Sequence, residues 1–194
     1  FAEEQSELLL ETLRLLGIAR IHFHHIIDLP HCVLSLPEHL GCRYDISVHD
    51  YYFACPQVTL VDEHGRYCGA PDENGCNACL AKRPVAGAET IEDWRARSGL
   101  FLQGAERVFV PSLDVGPRMR RYFQHEAAVC EAVSAIPSVP VAGQEPLRIL
   151  VLGALSAFKG ADVLEQVAML ARQQRAPVEL HLLGYAYRPL RTWP

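Results

Sequence analysis

Leu147-Arg148-Ile149-Leu150-Val151-Leu152-Gly153-Ala154-Leu155-Ser156-Ala157-Phe158-Lys159-Gly160 opens as an apolar run broken only by Arg148 and then turns at glycine. Such a run, bounded by turn residues, reads as an apolar strand. Downstream, Val163, Leu164, Val167, Leu170 and Ala171 recur at helical spacing, and Val178 to Leu183 is a second apolar run. Strand, glycine turn, helix and strand make a βαβ unit, whose two strands should be parallel. The fold class is therefore α/β.

Working upstream, Ile136-Pro137-Ser138-Val139-Pro140-Val141-Ala142-Gly143-Gln144-Glu145-Pro146 reads as a linker, 136–146, between this segment and an earlier one covering 1–135. In the earlier segment Leu9, Leu13 and Leu16 share a helical face, and Gly17 stands where a helix C-cap would. Strands are expected over Ile18 to Phe23, Tyr44 to Val48 and Arg107 to Pro111, with a short helix near Leu36 to Leu40. Thr90 is placed to cap a helix carrying Ile91, Trp94, Phe101 and Leu102, and Ser112 or Asp114 another carrying Val115, Met119, Tyr122 and Phe123. Between Cys55 and Arg83 the chain is rich in Pro, Gly, Asn and Asp with little periodicity, an irregular insertion that needs something to hold it.

The 194 residues, 49% hydrophobic and 21% charged, have ordinary globular composition. A formal charge of -5 and the lack of a basic run argue against a nucleic-acid partner. Sixteen of the eighteen basic residues are arginine, which singles out Lys82 and Lys159. No apolar run is long enough to span a bilayer, and Phe1-Ala2-Glu3-Glu4 lacks the pattern of a signal peptide, so a cytoplasmic location is expected, with peripheral membrane association still open. The absent first methionine and the end at Arg191-Thr192-Trp193-Pro194 suggest a piece of a longer polypeptide. Apolar surface left uncovered in such a piece would favour a homodimer.

Two motifs carry chemistry. Seven cysteines are an odd count, and four of them, Cys55, Cys68, Cys76 and Cys79, cluster at intervals of twelve, seven and two residues. The Cys76-x-x-Cys79 knuckle suits two thiolates on one tetrahedral ion, so structural zinc is the first reading; disulfides, a redox pair and unliganded thiols are the alternatives. His49 and Asp50 fall at the carboxyl end of the second strand, where open α/β sheets place ligands, and imidazole titrates near neutrality. These two are the candidate catalytic pair, against the plainer reading of a strand-end cap. His22, His24 and His25, on or just after the first strand, suit a polar pocket wall better than a metal site, because alternate residues face opposite ways and no carboxylate completes a set. Gly153, Lys159 and Gly160 precede a helix whose free amides favour a phosphate, although neither a Walker loop nor a G-x-G-x-x-G sequence is present. A solvated lysine is the plainer reading there.

His49-Asp50-Tyr51, Cys55-Pro56, Gly65, Cys68, Cys76-x-x-Cys79, Val110-Pro111-Ser112 and the turn from Leu152-Gly153 to Lys159-Gly160 together resemble bacterial retaining glycosyltransferases of the GT-B type, family 4. The resemblance runs from about Ile18 to Gly184 and implies a Rossmann-like fold. Residues 1–135 would be the later part of an acceptor-side domain, with the cysteine-rich loop 55–83 inserted, and 147–194 the start of a donor-side domain. It implies a nucleotide-sugar donor and a bacterial saccharide acceptor, as in polysaccharide biosynthesis, with His49 near the donor's anomeric carbon and diphosphate. Lys159, with Gly153 and Gly160, would hold that diphosphate, and His24 and His25 would lie on the acceptor side. The basic residue that often precedes the lysine is missing, since Leu155 to Phe158 are uncharged. The 194 residues alone are expected to be inactive. A competing reading is a non-catalytic, zinc-stabilised binding module on a Rossmann-like scaffold.

Overall fold

The computed structural model describes residues 3–130 and 145–191, with no description of the side chains of residues 3–6 and 31. The chain divides into two compact units, Phe1–Ser134 and Ala135–Pro194. Most of the predicted linker lies outside the described residues.

The first unit opens with α1 (Glu3–Leu15), closed at Gly17, whose φ of 64° a side chain would resist and whose amide donates to the Arg14 carbonyl. β1 (Arg20–Phe23) follows, then the short helices α2 (His31–Leu34) and α3 (Leu36–Leu40), then β2 (Arg43–Ser47). Next come α4 (Glu73–Lys82), α5 (Ile91–Gly104), β3 (Arg107–Val110), α6 (Val115–Arg120) and the two-residue β4 (Ala128–Val129). All four strands are parallel, in the order β1-β2-β3-β4. The order follows the chain without a reversal, so β1–β4 contain no switch point between diverging strands.

α4 corrects the expectation of an irregular insertion. Ten of its residues form a helix capped by Asp72, whose carboxylate accepts from the Gly75 amide at 2.9 Å. Its apolar content is low and only Leu80 is buried, which is why hydrophobic periodicity did not reveal it. Thr90 does cap α5, its hydroxyl accepting from the Asp93 amide at 3.1 Å. Asp114 does not cap α6 with its side chain; that carboxylate pairs with Arg118 at 2.6 Å instead.

The sheet is asymmetric. Phe23, Ile46, Val48, Val108 and Val110 enter the core with Phe53, Leu102, Met119 and Phe123. The alternate residues Arg20, His22, Asp45, Ser47 and Arg107 bond to one another on the opposite face. At one end of this polar face Asp45, only 1% exposed, accepts two hydrogen bonds from Arg20 and two from Arg107. These guanidinium donors, Arg107 first, hold its carboxyl down at about 2. A smaller core of Leu80, Ala88, Ile91 and Trp94 lies under α4 and α5.

The second unit contains β5 (Leu147–Leu155), a 3-10 turn (Ala157–Lys159), α7 (Ala161–Gln174) and β6 (Val178–Ala186), the predicted βαβ unit. β5 and β6 pair in parallel from Leu147↔Val178 to Leu155↔Ala186. Among the described residues, no helix is long and apolar enough to cross a membrane.

Candidate functional site

Register explains why four sequence-predicted side chains meet. His22 is level with Asp45 and Phe23 with Ile46, so the residues just past β1 and β2 leave the sheet side by side. His24 Nδ1 lies 3.4 Å from His49 Nε2, with the rings stacked 5.6 Å apart. His22 stacks on His24 at 4.3 Å and hydrogen-bonds Ser47 Oγ at 2.9 Å. Burial is the first cause that lowers the His22 pKa, and positive charge on His24 lowers it further. His22, expected in a pocket wall, thus buttresses the stack. Ser47, its partner, carried no sequence signal beyond its place at the strand end.

The second pair is His25 and Asp50. His25 Nε2 and Asp50 Oδ2 are 2.7 Å apart, and the Ile27 amide donates to His25 Nδ1 at 3.1 Å. A ring whose Nδ1 accepts an amide hydrogen must carry its proton on Nε2, so His25 donates to Asp50. The other Asp50 oxygen accepts from the Tyr52 amide at 2.8 Å. Asp50 is thereby oriented by two donors, while the exposed His49 ring is held by its stack and its 3.4 Å nitrogen contact with His24. Tyr52, whose ring is 6.3 Å from that of His25, also lines a groove of about 650 Å³ with Ile26, Trp94, Arg97 and Phe101. Tyr52 thus links His25, the partner of Asp50, to a largely apolar groove.

In the second unit Lys159 ends the 3-10 turn and is exposed, and Gly160, at φ 81°, leads into α7. The Ala161 amide bonds back to the Ser156 carbonyl and the Leu164 amide to that of Gly160. The first-turn amides between them are the helix's free donors. Asp162, in that same turn, would repel an anion, but Arg188 pairs with it at 2.5 Å and also forks onto Glu165 at 3.0 and 2.7 Å. This ion pair network is invisible in sequence because its members are 23 to 26 positions apart. A larger cavity of about 750 Å³ between α7 and β6 has Leu164, Ala168, Ala171 and Leu180 in its wall and does not include Lys159.

The four clustered cysteines are all half-buried free thiols. Burial is the first cause that raises the Cys55 thiol pKa, and a hydrogen bond from the Gln57 backbone opposes it. Among the described residues no three His, Cys, Asp or Glu side chains are arranged to hold a metal ion as they stand. Arg95, unmarked by the sequence reading, donates to Cys76 Sγ at 3.5 Å and to the Ala54 carbonyl at 3.1 Å.

No protein-family model matches the chain, and no curated protein matches it. What the fold and site define is thus a class alone: a mixed α/β chain with parallel sheets and a polar cluster at the carboxyl ends of adjacent strands.

Proposed function

We propose that this chain is part of a retaining glycosyltransferase of GT-B, family 4 type, moving a sugar from a nucleotide-sugar donor to a bacterial saccharide acceptor. The observation that carries the reading is the convergence of His24, His25, His49 and Asp50 where β1 and β2 end. Open α/β sheets bind ligands outside the carboxyl ends of their strands, and these four side chains lie there although β1–β4 have no switch point. The resemblance in sequence supports the same reading at His49-Asp50-Tyr51 and at Lys159-Gly160.

In this reading each group has one task. Negative charge grows on the donor's diphosphate as the glycosidic bond to it breaks, and Lys159 with the free first-turn amides of α7 stabilises that charge. His49, exposed and free to present a nitrogen, hydrogen-bonds the donor near the reacting carbon. His24, stacked on it, fixes the ring plane. Asp50 holds His25 as a polar wall on the acceptor side, and the groove beyond Tyr52 receives the acceptor.

Calorimetric titration of the complete gene product with nucleoside diphosphates checks the phosphate role. Lys159→Ala should weaken diphosphate binding roughly tenfold while leaving the bare nucleoside unaffected. Equal binding of diphosphate and nucleoside, or no effect of the substitution, would favour the binding-module reading.

A further inference from the structure

We propose that Cys55, Cys68, Cys76 and Cys79 bind one zinc ion that fastens the insertion after β2 to helix α4. The proposal rests on how this segment is built and is independent of the transferase reading. Three separate pieces carry the four sulfurs. Cys55 closes a helical turn after β2, its amide donating to the Tyr51 carbonyl at 2.8 Å. Cys68 follows a hairpin in which Val61 bridges Tyr67, and its amide donates to the Leu60 carbonyl at 2.9 Å. The hairpin tip is shaped by Asp62, which accepts from the His64 and Arg66 amides at 2.9 Å each. Cys76 and Cys79, three apart on α4, share one helix face.

Side chains already draw these pieces together. Arg83, at the end of α4, donates to the Val61 carbonyl at 2.8 Å, and Gln57 donates to the Arg83 carbonyl at 2.6 Å. Lys82 pairs with Glu63 at 3.1 Å. Arg95 bridges the Ala54 carbonyl, next to Cys55, and the Cys76 sulfur. A hairpin knuckle, a helix face and a flanking turn, each presenting cysteine, match the chemistry of a four-thiolate tetrahedral site.

The segment also needs such a fastening. Val58, Leu60 and Ala70 have φ of 69°, 52° and 49°, a region that costs non-glycine residues, a β-branched valine most of all. Its own apolar burial is slight: Leu60 is the one buried large aliphatic side chain from 57 to 72. Zinc binding would release the four thiol protons to solvent and leave a site of net charge -2. The Arg95 guanidinium, already a donor to Cys76, offsets part of it. Four thiolates fill the coordination shell, so the ion is structural and takes no substrate.

Elemental analysis of the gene product purified without chelators should find one zinc per chain. Replacement by cobalt should produce the absorption of a tetrahedral all-thiolate site. Cys68→Ser and Cys76→Ser should lose the metal, while Cys42→Ser and Cys130→Ser retain it. Because a cysteine variant can fail to fold, the wild type supplies a second readout: zinc should protect four of its seven thiols from alkylation, mapped by mass spectrometry. Absence of metal with all seven thiols equally reactive after zinc supplementation would overturn the proposal. So would disulfides within the set, or an iron–sulfur chromophore.

Discussion

Asp45 shows how a single residue can organise the sheet that carries the site. A carboxylate at 1% exposure would be costly unless paired, and here Arg20 and Arg107, from the strands on either side, each give it two hydrogen bonds. The pairing crosses β1, β2 and β3 and so pins their register, which in turn sets His24 beside His49. Because the folded carboxyl titrates at about 2, below its ordinary 3.8, its contribution is complete above about pH 4 and is lost as pH falls through 2. The ionised carboxylate thus contributes about 2 kcal/mol of pH-dependent stability at neutral pH, and Asp45→Asn should abolish that part. Denaturant unfolding of both proteins across pH 2 to 7 checks it: the difference should shrink as pH falls below 4. A difference independent of pH would mean that the charge of Asp45 is not what stabilises it.

At the scale of elements, sequence patterning was most legible where apolar residues recur at a strand or helix period, even though Leu147, Leu150 and Leu152 of β5 stay largely exposed. β5, α7 and β6 were readable because an apolar run, a helical stripe and a second run leave little ambiguity. The strand end bearing His49 and Asp50 was readable from alternation, Tyr44, Ile46 and Val48 alternating with Asp45 and Ser47. α4 was not, since a helix with one buried residue has no stripe, and Asn, Gly and Cys in Glu-Asn-Gly-Cys-Asn-Ala-Cys favour turns. The His24–His49 contact depends on parallel register and the Arg188 network on tertiary folding, neither of which local pattern encodes. β5 and β6 also contain a close approach that composition hides. Gly153 and Gly184 face each other in register, and a Cβ on Gly184, at φ 148°, would collide with the Gly153 carbonyl. Gly184→Ala should lower the thermal midpoint of the second unit by several degrees, whereas Gly17→Ala, which meets no atom, should cost only the strain of its φ. Equal, small effects from the two substitutions would show that the strands can separate to admit a side chain.

At the scale of the whole molecule, the two units carry different halves of the proposed chemistry. The first holds the imidazole and carboxylate groups, and the second holds the lysine and the free helix amides. Transfer of a sugar from a nucleotide donor is the activity proposed for the complete gene product. The most direct test is turnover of a panel of nucleotide sugars by the complete gene product, with wild type, His49→Ala and Lys159→Ala assayed side by side for donor hydrolysis and sugar transfer. The wild type should turn over at least one donor, and each variant should lose roughly a hundredfold or more of that turnover. Turnover unaffected by either substitution, or none with any donor, would contradict it.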